Sequence, residues 1–347
     1  MPQPLLAEGR RFDPRKNFLY RSLSAVMKWE SILLLILVAV VVVNSFLSEY
    51  FLDPKNLLDT TFNFVEKAVI ALPMAFVIIA GDIDISVGSI VALSSVFMGM
   101  AGAAGADSWT LLLVGLVSGL VMGAFNGFLI TRFGIPSIAV TLGTMSLYRG
   151  LAYAILGDQA YTKFPDGFDF FGQGYLGDSP VPFELVLLAV LALGAGFLLH
   201  RTAFGRQTYA IGSNLKAALF SGVPVQRNRM LIFSAAGLMS GLASVLLTSR
   251  VLSTRPNIGS GLEFEVITIV ILGGIAITGG EGTLLGVVLS TFVLGFLKFG
   301  MALVNVPGRV MNIVTGGLLL FAILIPLVLR GARNRVEMRE RKRNLVV

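Results

Sequence analysis

The chain contains no cysteine, which excludes disulfides, thiolate metal sites and a cysteine nucleophile. It has a single histidine, His200, so neither a histidine cluster for zinc nor a Ser/His/Asp triad can be assembled. Charge is scarce too: 14% of the 347 residues are charged and 55% hydrophobic, with a mean hydropathy of +0.82. Soluble domains carry about 25% charged residues, so an ordinary soluble enzyme is excluded. No Gly-x-x-x-x-Gly-Lys-[Ser/Thr] run occurs, and the chain therefore has no phosphate-binding loop of that kind for ATP.

Long apolar runs fill the chain instead. Ten are legible, at 31–47, 64–80, 88–104, 111–131, 136–156, 181–200, 230–248, 264–280, 284–303 and 310–329. A helix needs about 20 mostly apolar residues to cross a bilayer core, and no polar stripe runs along these segments as a soluble bundle would require. The fold class predicted is all-α: a polytopic membrane protein of about ten transmembrane helices. Residues 31–329 form one transmembrane domain between an N-terminal arm, 1–30, and a basic tail, 330–347. The first run follows a polar arm and lacks a small-x-small cleavage signal, so it reads as a retained anchor.

Lys and Arg mark the cytoplasmic side. The arm, the turn at Arg132, the segment 201–229 and the tail hold nineteen of the 27 basic residues, and an even number of spans places all four on one face. Both termini are thus expected in the cytoplasm. The basic balance is explained by topology, and nucleic acid is not an expected partner. The loop 157–180, rich in Gly, Asp and aromatics, falls on the opposite face as a lid, a docking surface or a plain connector.

Two apolar runs are interrupted by the same pattern. Residues 81–88 read GDIDISVG and 273–280 read GGIAITGG; both fit G-x-I-x-I-[ST]-x-G, 192 positions apart. Glycine permits a helix to break, and Ser or Thr can satisfy the backbone groups so freed. Paired interruptions of this kind point to a transport site. The candidate path or helix-break residues are Asp82, Asp84, Ser86, Asn126, Thr141 and Thr144, and the second break supplies Gly273, Gly274, Thr278, Gly279 and Gly280. A charge left unpaired at mid-membrane costs about 2.5–3.5 kcal/mol, so Asp82 and Asp84 must line water, cap a half-helix or meet a cation. Capping is the plainer reading. Glu265 and Lys298 lie in or near spans and could pair. Six spans separate the copies, which implies equal orientation; an inverted five-plus-five repeat needs an odd offset, so the repeat type stays open.

The segment 201–229 holds five basic residues and no acid, and its stretch 205–223, GRQTYAIGSNLKAALFSGV, contains a short helix-compatible run from Asn214 to Ser221 ended by Gly222. Such a helix in the largest internal loop suits docking on a partner. This segment resembles the cytoplasmic coupling region of ribose-, arabinose- and xylose-type ABC sugar-importer permeases. The resemblance continues through Gly81–Gly88, through Gly123, Asn126 and Gly127, and through Ile135-Pro136, Thr141–Thr144 and Arg149-Gly150. It extends to Gly259–Glu263, Gly273-Gly274, Gly279–Gly282 and Gly286. Rhamnose-type and autoinducer-2-type permeases share the pattern, and branched-chain amino acid permeases are more distant.

The resemblance implies a permease subunit that pairs with a second permease and receives a sugar from a periplasmic binding protein. It would engage an ABC ATPase subunit through Gly205, Arg206, Gly212, Asn214, Ala217, Ala218 and Gly222. It would be non-enzymatic, with no cofactor or metal, in the bacterial inner membrane, and a deoxyhexose such as rhamnose is the weakly preferred cargo. Asp82 in place of the commoner Gly, Leu215-Lys216 in place of an acid, Glu265 for Asp and Lys298 for Asn depart from the family pattern. An ion-coupled secondary transporter using Asp82, Asp84 or Glu265 is the alternative.

Overall fold

The structure, a computed structural model, describes residues 29–324; the N-terminal arm up to residue 28, the end of the 310–329 run and the basic tail lie outside the described residues. In chain order the helices are α1 (Trp29–Leu47), α2 (Pro54–Asp59) with a 3₁₀ turn (Thr60–Asn63), α3 (Val65–Ile79), α4 (Val87–Ala103), α5 (Ser108–Phe133) and α6 (Ser137–Leu156). Then come α7 (Phe170–Gln173), α8 (Phe183–Arg201), α9 (Ala203–Ser213), α10 (Leu215–Phe220), α11 (Val225–Val251), α12 (Leu262–Leu272), α13 (Leu284–Leu303) and α14 (Gly308–Leu324). No strand occurs among the described residues, only the isolated bridges Tyr161–Thr254 and Tyr175–Pro182.

Among the described residues six helices, α1, α5, α6, α8, α11 and α13, are long and apolar enough to cross a membrane, and the pair Pro54–Asn63 and Val65–Ile79, bent by 55°, raises the number to seven. Ten full spans are not found among the described residues. The run 88–104 holds a helix of 17 residues, α4, and the run 264–280 one of 11, α12. In α12 the break takes the length that a full span would need, whereas α4 fills its run.

Helix α3 is apolar on every side, and such a helix is stable only when surrounded. All its residues except Lys67 are buried, and α11, α12, α8 and α13 pack around it. The closest helix pair is α5 against α11. Gly115, Gly119 and Gly123 of α5 face Gly237 and Gly241 of α11, backbone on backbone, so that a Cβ on any of them would strike the other helix. Lipid gives no hydrophobic drive between helices, and small residues that let backbones approach supply packing energy in its place.

α3 and α12 run in the same direction. At their N-terminal ends Lys67 Nζ lies 3.2 Å from Glu265, and at their C-terminal ends the N–H of Gly280 donates to the carbonyl of Ile79 at 2.8 Å. The equal orientation implied by six intervening spans is what the structure holds. The anticipated Glu265–Lys298 pair is present at 2.7 Å, while Arg250 binds both oxygens of Glu66 at 3.1 and 3.3 Å. Glu66 and Glu265 thus each have cations beside them, as removal from water demands. The 157–180 loop packs on the same end through Phe164, Phe168 and Phe171, and the Tyr175 hydroxyl donates to Asp59 at 2.6 Å.

Candidate functional site

The end of α3 is fixed by backbone hydrogen bonding. The N–H of Asp82 donates to Val77 O at 3.0 Å and that of Gly81 to Ile78 O at 2.9 Å, with Gly81 at φ +82°. This is the Schellman arrangement, in which a left-handed glycine satisfies the last carbonyls of a helix. α12 ends in the same way: Ile275 N–H bonds Val270 O, Gly274 N–H bonds Ile271 O, and Gly274 has φ +88°. The sequence pattern aligned Gly81 with Gly273. In space Gly81 corresponds to Gly274, one position later, because the cap is defined by backbone conformation and not by the first glycine of the run.

Between α3 and α4 the chain is held from three sides. Asp84 Oδ1 accepts from the Ser86 N–H at 2.8 Å and the Ser86 hydroxyl at 2.6 Å, while Oδ2 is buried without a hydrogen-bond partner. Asn126 Nδ2 of α5 donates to Ser86 Oγ at 2.8 Å, and Tyr148 of α6 donates to Asn126 Oδ1 at 3.2 Å. Ile83 donates its N–H to Ser137 Oγ and accepts from Thr141 Oγ1, each at 3.3 Å. Thr144 bonds only within its own helix. Asp82 meets a cation: Arg229, at the start of α11, donates through Nε to Oδ2 at 2.7 Å and through Nη2 to Oδ1. That bidentate geometry is the strong form of a charge-assisted pair.

Asp82, Asp84, Ser86, Asn126 and Thr141 thus converge, and all are buried, as is Thr144. They brace a broken helix. Asp84 forms a turn over Ser86 instead of the expected cap on the next helix, whose N-cap residue, Ser86, makes no side-chain cap. Arg229, Tyr148 and Ser137 were missed. Arg229 was legible only as part of a charge excess, and its partner lies 147 positions away.

The second break lies directly against the first. Gly279 packs on Gly81, and Gly212 of α9 packs on both the Ile79 carbonyl and the Gly280 N–H. Three chain segments meet here with no side chain between them. Tyr209, one turn earlier on α9, donates to Gly282 O at 2.6 Å. Burial pushes the Tyr209 hydroxyl above the usual tyrosine range, so it stays a donor. Gly273 is buried, whereas Thr278 is exposed beside a small cavity of about 230 Å³.

The rest of the 201–229 segment is two short helices. Gly205 packs on the Leu199 backbone where α9 turns off α8, and Arg206 is exposed. Asn214 caps α10, its Oδ1 accepting from Ala217 N–H at 3.0 Å, and Gly222, at φ +77°, ends it. Within α10, Ala217 is exposed but Ala218 is buried under Val223. The outward apolar face is Leu215, Leu219 and Phe220, the last 93% uncovered. No sequence signal set this bare phenylalanine apart from the other apolar residues.

The family model of the branched-chain amino acid transport system permease component matches residues 56–323. The chain is 39% identical, over 82% of its length and 88% of the relative's, to the ribose import permease protein RbsC of Bacillus subtilis (strain 168). It is 36% identical to the L-arabinose ABC transporter permease protein AraH of Azospirillum brasilense, covering 83% of this chain and 84% of that one. It is 34% identical to the autoinducer 2 import system permease protein LsrD of Klebsiella pneumoniae (strain ATCC 700721 / MGH 78578), over 86% and 91%. No solved structure matches the chain.

Proposed function

Since the chain belongs to the branched-chain amino acid transport system permease component family, we propose that it is the membrane-spanning subunit of an ATP-binding cassette importer for a monosaccharide. A separate ATPase subunit drives it, a periplasmic binding protein delivers the sugar, and a second permease subunit completes the pathway. The observation that carries this reading is the contact of α9 with both helix breaks at once, through Gly212 and Tyr209. A partner seated on the exposed apolar face of α10 and the cations around it would push on α9, whose Gly212 lies directly against the backbone of both breaks.

The carboxylates support this reading over ion coupling. Asp82 is occupied by Arg229 and Glu265 by Lys298 and Lys67, so two of the three acids that a proton- or sodium-coupled carrier would use are held in ion pairs. Asp82, Asp84, Ser86, Asn126, Thr141 and Thr144 brace the first break, and Gly273, Gly274, Thr278, Gly279 and Gly280 form the second. Gly205, Arg206, Gly212, Asn214, Ala217, Ala218 and Gly222 build the coupling element. In this reading the bent pair, α4, α12 with its break, and α14 complete ten membrane segments, with 201–229 and both termini on the cytoplasmic side of the bacterial inner membrane.

The names of the relatives favour a pentose, and a deoxyhexose has no support among them. Autoinducer 2 is the second reading, on the similarity to LsrD. The test is uptake into proteoliposomes. Labelled ribose or arabinose should accumulate only when ATPase, binding protein and internal ATP are all present, and collapsing proton and sodium gradients should leave uptake intact. Gradient-driven accumulation by this chain alone would overturn the proposal.

A further inference from the structure

A groove of about 750 Å³ runs along the flank of the bundle, within the 300–1,000 Å³ range of ligand sites. α3 forms its floor through Pro73 and Phe76, α8 one wall through Gly194 and Leu198, and α11 the other through Leu231 and Ala235. Phe204 of α9 closes one end, its ring 6.1 Å from that of Phe76. Every lining residue is apolar or glycine, and a Cβ added at Gly194 would meet nothing within 4 Å. Leu198 and Leu231 are respectively 41% and 47% exposed there, so the groove is open.

Two cations stand where the groove reaches the basic end of the bundle. Arg201 follows Leu198 by three residues and Arg227 precedes Leu231 by four, so each continues the groove face of its helix by one turn. Both are exposed, neither forms an ion pair among the described residues, and the segment they bound contains no acid.

From this arrangement we infer that the groove is a phospholipid site: one acyl chain lies between α8 and α11, and an anionic head group sits between Arg201 and Arg227. The helices that form it are membrane spans, so hydrocarbon is the surrounding solvent. An extended peptide would leave its backbone N–H and C=O groups unsatisfied against an all-carbon wall. A second copy docked through a two-fold axis would bring four arginines together without an acid. An acyl chain needs no hydrogen-bond partner, and the phosphate supplies the missing counter-charge in the bidentate form that guanidinium prefers.

The full chain, purified in detergent without ATPase or sugar, is offered phosphatidylglycerol or phosphatidylcholine of identical acyl composition, and retained lipid is counted by native mass spectrometry. Because no transport step is involved, the outcome is independent of the proposed function. Wild type should retain phosphatidylglycerol about thirtyfold better, two arginines each contributing on the order of 1 kcal/mol. R201Q/R227Q should hold the two lipids equally, R201K/R227K should keep a preference, and A235F should lose both lipids. Equal retention by wild type, a preference surviving in R201Q/R227Q, or full retention in A235F would each overturn the assignment. So would a lipid-free dimer that A235F dissociates. Should the glutamine variant fail to give a monodisperse species, the wild-type comparison and A235F still decide.

Discussion

Substituting Gly212 by alanine tests the junction at which α9 meets the two breaks. The new methyl group would fall on the carbonyl of Ile79 and the N–H of Gly280, the two partners of the 2.8 Å bond that joins the breaks. Both are backbone atoms, so no rotamer change relieves the contact and α9 must withdraw. Over-packing of this kind costs about 1–3 kcal/mol, and disturbing the bond adds about 1 kcal/mol. Alanine returns about 0.5–1 kcal/mol by its better helix propensity, leaving a net loss of about 1–3 kcal/mol. Gly143, in the exposed face of α6, provides the opposite case: an added Cβ meets nothing within 4 Å, so only the propensity gain remains. In detergent, Gly212→Ala should therefore melt below the wild type and Gly143→Ala at or above it. In the assembled transporter Gly212→Ala should also lower sugar-stimulated ATP hydrolysis. A Gly212→Ala protein that melts with the wild type and keeps full stimulation would show that the three segments are not in contact.

Two further perturbations follow from the same geometry. Asp82→Asn and Arg229→Gln should each destabilise by about 2–4 kcal/mol, because the side chains are only 7% and 17% exposed and each leaves the other charge unpaired. The double variant should lose less than the sum by about 1–3 kcal/mol in chemical denaturation, and additive losses would refute the pairing. Phe220→Ser removes a ring with no cover of its own, so melting should shift by no more than about 0.5 kcal/mol while sugar-stimulated ATP hydrolysis falls about tenfold or more. Unchanged stimulation would remove α10 from the docking surface.

Much of the membrane architecture was legible because apolar run length is a local property. Each of the ten runs carries a helix, and the two Gly-broken patterns are indeed where α3 and α12 stop. Fewer than ten full spans stand among the described residues for the same reason that the breaks were found: a glycine cap shortens the helix it ends, so α12 is 11 residues long, too short to cross alone. The polar brace was half legible. Asn126 and Thr141 were visible as polar residues inside apolar helices, and Thr144, visible on the same grounds, turned to its own backbone. Arg229 and Tyr148 reach the site only through tertiary packing, which no spacing in the sequence encodes. In α10 the sequence established a helix but not which side faces outward; six residues are too few for a periodic pattern to separate buried Ala218 from bare Phe220.

The way the breaks are joined limits how this protein can move. A displacement of α9 by about an ångström would ordinarily be absorbed by side-chain rotamers, since packed interfaces adjust there first. At Gly212, Gly81 and Gly279 there are no rotamers, only backbone against backbone, so the displacement passes to the ends of α3 and α12 together. These two helices are parallel and are also tied at their far ends by Lys67 and Glu265, which Lys298 extends to α13. They therefore respond as one body. Arg229 opposes the motion, because α11 must follow Asp82 or give up a bidentate pair. In the proposed importer, force applied at the basic end would thus reach the opposite end through two linked helices.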